Sequence, residues 1–220
     1  MITVIETKII DNFLTDEEIG ILEEDFLKID KLIDCSTNGK ENSTLQAFIN
    51  ENVYWIDSAK TILEPKIKQH FGNDVFINQG HVLTSYIPYN IHTDARGGFG
   101  IPSDTHQAAW TFIIPLDTYD SSTILFEQEA DEGEENWDDK DLIEKYGWQL
   151  HDEDPILFEN YLKGIEVLER TRVYSVESIF KWKKGTMFAA SRKKFHSSDN
   201  FLLRGVTEKR AIVMWTTIPK

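Results

Sequence analysis

An α+β chain built on a β-sandwich or jelly-roll is the architecture this sequence predicts. Three observations predict it. Two amphipathic helical segments fall within the first 70 residues, the chain from Val75 onward reads as short apolar strands, and the connections between those strands are long.

The elements follow in order. Residues 2–10 alternate loosely between apolar and polar, which suits an opening strand. Thr15 and Glu18 form a T-x-x-E capping box, and Leu14 with Ile19 can make the hydrophobic staple around it. Ile19, Leu22, Phe26 and Ile29 then share one helical face. A second helix is expected from Asp57 to about His70, presenting Ala59, Ile62, Leu63 and Ile67 to a sheet. Val75–Ile77 and His81–Ile87 read as strands. Ala108–Leu116 is a nearly continuous apolar run, as a buried strand requires, and Ser122–Phe126 follows after a turn. Ser175–Trp182, Thr186–Ala190 and Ala211–Thr217 are the remaining strands.

The 220 residues suit a single domain, 1–220, carrying an insertion at about 127–173 where the strand pattern breaks. Residues 127–141 hold nine acidic side chains and one Lys. Asp141–Tyr146 and Pro155–Leu168 could form short helices there. The segment reads either as a solvated surface insertion or as a lid, since long loops in compact domains often carry function.

Composition narrows the function. Hydrophobic residues make up 40% and aromatics 12%, enough for a packed core. A formal net charge of −15 argues against a phosphate-binding surface and so against nucleic acid as a partner. The lone cysteine, Cys35, excludes an internal disulfide and thiolate clusters, and no base stands beside it in sequence to make it a nucleophile. Any metal site must therefore use His and carboxylates. The N-terminus has no basic stretch leading into an apolar one, and no apolar run approaches the ~20 residues of a membrane span. The expectation is a cytoplasmic protein with no membrane partner. No G-x-S-x-G elbow or phosphate-binding loop is present.

The chemistry rests on His92-Thr93-Asp94. On extended backbone, residues two apart face the same way, so His92 and Asp94 can present an imidazole and a carboxylate to one point. Alone this pair recurs by chance. A second half stands near the C-terminus: Lys184-Gly185 turns into an apolar strand, SRKKF follows and reads as a polar loop, and then comes His196. Two His and one Asp on a β scaffold are the ligands of the facial triad, which leaves three positions of an octahedron open. A chelating acid can take two of them and dioxygen the third.

These residues resemble the iron(II)- and 2-oxoglutarate-dependent dioxygenase superfamily, within it the prolyl-hydroxylase and phytanoyl-CoA-hydroxylase branches. Ile10-Asp11-Asn12-Phe13-Leu14-Thr15-Asp16-Glu17-Glu18 is similar to the start of many members. So are Ser85-Tyr86-Ile87-Pro88 leading into His92-Thr93-Asp94, and Thr111–Asp117 on the next strand. The resemblance covers most of the chain outside 127–173. It implies a double-stranded β-helix (cupin-like jelly-roll) core with the N-terminal helices packed on one sheet. It implies Fe(II) held by His92, Asp94 and His196, with 2-oxoglutarate as cosubstrate and O2 as oxidant. It further implies hydroxylation of a small molecule or a peptide side chain, with release of succinate and carbon dioxide. Halogenation is disfavoured because Asp94 stands where related halogenases have a small non-ligating residue.

The resemblance also calls for a cation to anchor the far carboxylate of 2-oxoglutarate. Lys209 and Arg210 both qualify on the final strand and face opposite ways: strand register favours Lys209, side-chain chemistry favours Arg210. Arg204 is a third candidate. Tyr86 resembles a cosubstrate-touching position. Arg96, beside the glycine-rich Gly97–Gly100, and His106 are candidates for the substrate side. His70, His81 and His151 are expected outside the metal shell, and Trp182 and Trp215 in the core. The rivals are a non-catalytic β-sandwich binding module and a cupin-type metalloenzyme indifferent to 2-oxoglutarate.

Overall fold

A computed structural model of the chain describes residues 5–26, 33–34, 44–51, 54–55, 57–95, 105–130, 158–165 and 173–220. Two helices and eleven strands are found among them. Helix α1 spans Asp16–Phe26, and its capping box forms as the sequence predicts. The Thr15 amide donates to Glu18 Oε2 at 2.8 Å, and the Glu18 amide donates to Thr15 Oγ1 at 3.2 Å. Helix α2 spans Asp57–Phe71 and pins this corner by donating from Lys66 Nζ to Glu18 Oε2 at 2.8 Å.

The strands are β1 (Lys8–Ile10), β2 (Ile33–Asp34), β3 (Thr44–Glu51), β4 (Tyr54–Trp55), β5 (Phe76–Ser85), β6 (His106–Pro115), β7 (Ser122–Glu129), β8 (Val176–Lys181), β9 (Met187–Ser191), β10 (Lys194–Ser198) and β11 (Lys209–Pro219). They form two antiparallel sheets. The larger runs in the order β1-β9-β6-β11-β5-β3-β2, with β4 paired to β3; the smaller runs β10-β7-β8. Every pairing is antiparallel.

The structure departs from the sequence reading at several points. The two predicted strands on either side of Asn78-Gln79-Gly80 are one strand, β5, because β11 pairs across the whole segment and absorbs the glycine opposite Met214. That strand stops at Ser85, short of Ile87. The expected polar loop before His196 shrinks to the turn Arg192-Lys193: Ser191 still belongs to β9, and β10 begins at Lys194. The charges misled: Arg192 has no exposed surface at all. Strands β2, β3 and β4 have no counterpart in the sequence reading. Of the expected insertion helices, Asp141–Tyr146 lies outside the described residues, and within Pro155–Leu168 the described part holds a single π-turn, Phe158–Leu162.

Three apolar clusters hold the layers. One face of the larger sheet offers Val82, Phe112, Ile114, Ile212 and Met214 to Ile19 and Leu22 of α1 and Leu63 and Ile67 of α2. Its opposite face packs Ile113, Phe188 and Val213 against Leu125 and Phe180 of the smaller sheet, with Phe180 and Phe188 stacked at 4.9 Å. The far side of the smaller sheet, through Ile124, Phe126 and Phe195, is covered by Leu162, Phe158 and Tyr161. The described segment 158–165 therefore lays Leu162, with the partly buried Phe158, Tyr161 and Ile165, against the sheet while Glu159, Asn160, Lys163 and Gly164 stay exposed. The Lys184-Gly185 turn ties α1 to the sheets: Gly185 adopts φ 71°, donates to Pro115 O and accepts from the Leu14 amide at 2.9 Å. A Cβ at this glycine would sit 2.3 Å from Leu14 O, so no side chain fits. Among the described residues, no helix is long and apolar enough to cross a membrane.

Candidate metal centre

The site is built by backbone pairing before any side chain acts. The His92 amide donates to His196 O at 2.9 Å and the His196 amide donates to His92 O at 2.8 Å, an isolated antiparallel bridge. Two residues on, the Asp94 amide donates to Arg192 O at 3.1 Å. The His-Thr-Asp segment is thereby laid along β10, and residues 104 apart in sequence are locked side by side. The imidazole centroids lie 4.3 Å apart, and His196 Nε2 lies 3.5 Å from Asp94 Oδ2. One ligand atom from each of His92, Asp94 and His196 falls within 4.8 Å of the others. That spacing suits a single cation about 2 Å from each ligand.

The ring orientations are set from behind. His92 Nδ1 lies 2.6 Å from Asn90 O, and His196 Nδ1 lies 3.2 Å from Lys194 O. A carbonyl only accepts, so each Nδ1 carries a proton and each Nε2 faces the cluster, the nitrogen that would bind a metal once deprotonated. Thr111 donates to Asp94 Oδ2 at 2.6 Å. Burial by itself would push the Asp94 carboxyl up. Positive charge on His196 and His92 when they are protonated, with hydrogen bonds from the Thr111 hydroxyl and the Trp215 indole N–H, outweighs it and holds the group below its ordinary value. Asp94 therefore stays an anion, the form that binds metal. Arg192 fixes its backbone, donating through Nε and Nη2 to Asp94 O at 3.2 and 3.1 Å and through Nη1 to Thr216 O at 3.3 Å.

The triad opens into a cavity of about 160 Å³ between the sheets. Leu83, Ile113 and Val213 give it an apolar wall, and Tyr89, Thr123 and Trp182 line it on other sides. Lys209 points into it from β11 with 2% of its surface exposed. Its Nζ donates to Ser121 Oγ at 3.0 Å and Ser198 Oγ at 2.8 Å, and lies 3.9 Å from the Trp182 ring and 4.8 Å from that of Phe201. Burial pulls its pKa down to about 7, with Asp199 pulling the other way. Arg210 faces the opposite side of β11 and donates to Glu23 Oε1 of α1 at 3.0 Å. Register thus separates two neighbours the sequence left together.

The other candidates fall elsewhere. Tyr86 follows the end of β5 and is absent from the cavity wall, which takes Ser85 and Tyr89 instead. His106 begins β6, its ring 5.2 Å from Phe76 and its Nδ1 2.9 Å from Thr105 Oγ1. Five residues of strand, about 17 Å, separate it from Thr111. Arg96 and His151 lie outside the described residues, as do Gly97–Gly100 and Cys35. Arg204 pairs with Asp199. His70 packs its ring 5.8 Å from that of Phe13 at the end of α2.

The cavity residues that were not singled out for the site from sequence include His81, Tyr89, Thr111 and Trp182. His81 is 2% exposed, edge-on to Trp215 at 4.9 Å, and burial lowers its pKa to about 4, so it is neutral. The signal that could have found it is the i, i+2 alternation of His81, Leu83 and Ser85 on one face of β5.

No protein-family model and no curated protein matches the chain. Solved structures do. The α-ketoglutarate-dependent carbocyclase SnoK from nogalamycin biosynthesis aligns at a TM-score of 0.61 and 11% identity, over 96% of this chain and 79% of its own. The epimerase SnoN from nogalamycin biosynthesis aligns at 0.59 and 12%, over 96% and 77%. HygX from Streptomyces hygroscopicus, with nickel and 2-oxoglutarate bound, aligns at 0.56 and 11%, over 97% and 83%. At these identities the likeness is one of fold: this chain has the fold of non-haem, 2-oxoglutarate-dependent enzymes.

Proposed function

We propose that this chain is an Fe(II)- and 2-oxoglutarate-dependent oxygenase, a single domain whose two sheets form a double-stranded β-helix. The observation that carries the reading is the convergence of His92, Asp94 and His196 at one end of a cavity that Lys209 enters as a buried cation. A fourth protein ligand would be expected of a structural zinc site. Here the described residues supply three, and the cavity provides the remaining room.

The donor set suits iron: two imidazoles and a carboxylate that accepts a hydrogen bond from Thr111. His92, Asp94 and His196 would hold the metal. Iron with 2-oxoglutarate and dioxygen supplies the oxidising power, the 2-oxoacid leaving as succinate and carbon dioxide. The chain's own work is positioning. Thr111 and Arg192 keep Asp94 from turning, the Asn90 and Lys194 carbonyls keep the imidazoles aimed, and Lys209 with Ser121 and Ser198 would grip the distal carboxylate of the cosubstrate. Leu83, Ile113, Val213 and the two tryptophans exclude water around it.

Hydroxylation of a small molecule or a peptide side chain is the proposed outcome. Proteins of the same fold include an epimerase and a carbocyclase, so product structure decides the outcome and succinate alone does not. The reading is tested by adding Fe(II) and 2-oxoglutarate anaerobically. The wild-type chain should develop a visible charge-transfer band and, in air, release succinate slowly without substrate; His196→Ala should do neither. Unchanged succinate release by that variant overturns the assignment.

A further inference from the structure

The cation at the cavity's inner end is backed by a second charge pair that the proposed chemistry does not use directly. Behind Lys209, Ser121 accepts from Lys209 Nζ at 3.0 Å and donates to Asp199 Oδ1 at 2.7 Å. Asp199 has no exposed surface. Its other oxygen, Oδ2, accepts from Arg204 Nη1. Arg204 in turn donates from Nη2 to Asn160 O at 3.0 Å and lies over the Tyr161 ring at 5.2 Å. The residue between them, Asn200, donates its amide to Tyr161 O and its Nδ2 to Lys163 O at 2.7 Å. The line Lys209–Ser121–Asp199–Arg204 therefore runs from the cavity to the inserted segment 158–165, with charges alternating along it.

A carboxylate buried to this degree is expensive unless fully partnered. Here Asp199 stands between Lys209 and Arg204, and Arg204 also has the exposed Asp120 carboxylate at 3.8 Å. Without Asp199, Lys209 would sit against Trp182 and Phe201 with only two hydroxyls, and an ammonium there loses its proton readily.

We propose that Asp199, held from behind by Arg204, is a positioning residue that keeps the Lys209 ammonium charged and aimed into the cavity. The inference rests on the proposed cosubstrate role of Lys209 for its purpose, but not for its test. Burial is the main influence on Lys209 and draws its pKa down to about 7; Asp199 is the charge that opposes this. The groups packed around Nζ are Ser121 ahead of β7, Ser198 on β10, Trp182 after β8 and Phe201 beyond β10, with Asp199 the carboxylate behind Ser121. His81, Tyr89, His92, Asp94 and His196 line the same cavity.

The test is a pH titration of the Lys209 side chain in the metal-free full-length protein. The probe is NMR of lysines labelled with carbon-13 at Cε, with the resonance assigned through its loss in Lys209→Met. Asp199→Asn should lower the midpoint by about one unit or more, the size of an opposite charge nearby. Arg204→Gln frees more of the Asp199 charge for Lys209 and should raise it. A general loosening would not move the two variants in opposite directions. A midpoint unmoved in Asp199→Asn, or in Arg204→Gln should the first variant fail to fold, overturns the proposal. Titrating the Fe(II)-loaded proteins with 2-oxoglutarate separates the two readings. If Asp199→Asn lowers the lysine midpoint while wild type binds no 2-oxoglutarate, the relay stands and the oxygenase reading falls. If both hold, Asp199→Asn should bind 2-oxoglutarate like wild type at pH 6 and about tenfold more weakly near pH 8.

Discussion

Strand β11 serves two environments at once. Ile212 and Met214 look outward into an apolar cluster with the helices, with the Arg210–Glu23 pair at its partly exposed edge, whereas Lys209, Val213 and Trp215 look inward to the cavity. Both faces are buried. On the outer one, burial is apolar and favourable. On the inner one, His81, Thr111, Asp94, His196 and Lys209 are all under a tenth exposed, and each carries a desolvation penalty met by a specific neighbour or by a changed charge state. The difference teaches that the helix-packed face stabilises the fold and the cavity face spends some of that stability on a pre-set site.

Three perturbations sharpen the contrast. The largest belongs to the outer face. Phe112→Ala removes a fully buried ring from the helix-packed cluster and should cost about 3–5 kcal/mol by denaturant unfolding, with metal affinity unchanged under folding conditions. A drop in metal affinity as large as the drop in stability would mean that the two faces are not separable.

The second concerns pH. The folded pKa of His81, about 4, lies below its ordinary 6.5. The unfolded chain therefore takes up the proton first as pH falls. The stability associated with neutral His81 is complete above pH 6.5 and is lost progressively down to about 4, by about 3 kcal/mol at most. In metal-free protein, His81→Phe should flatten this acid limb. An acid limb identical to wild type would show that His81 takes up its proton equally readily in the folded and unfolded chain.

The third splits the neighbours. Lys209→Met should weaken 2-oxoglutarate binding by about a hundredfold while leaving stability unchanged or higher, because a buried ammonium is replaced by an apolar chain. Arg210→Ala loses a half-exposed pair with Glu23 and should change both by little, about 1 kcal/mol or less in stability. The reverse pattern would put the cosubstrate on the wrong face of β11.

Much of this was legible in the residues. The capping box at Thr15 and Glu18 is a local rule and forms locally. The triad was legible because a two-residue alternation places His92 and Asp94 together and because one His follows in a β context. What joins His196 to them is a backbone bridge, which sequence spacing does not encode. The choice between Lys209 and Arg210 needed register: one residue's slip exchanges the cavity for the helix layer. Strand β10 was hidden by Arg192, Lys193 and Lys194, since charged residues argue for surface unless their partners are known. Arg192 is buried because three backbone acceptor contacts, two of them to Asp94, satisfy it. His81 was set outside the metal shell and Trp182 in the core because nothing local distinguishes a strand residue facing a void from one facing a packed side chain.

The central claim is that His92, Asp94 and His196 bind one cation and leave positions open. Cobalt(II), whose visible absorption reports its ligands, tests it directly when titrated into the metal-free protein and then into the 2-oxoglutarate mixture. One Co(II) per chain, a spectrum that changes when 2-oxoglutarate is added, and loss of both in His196→Ala is the predicted result. Co(II) bound with the same affinity and spectrum in His196→Ala would contradict it.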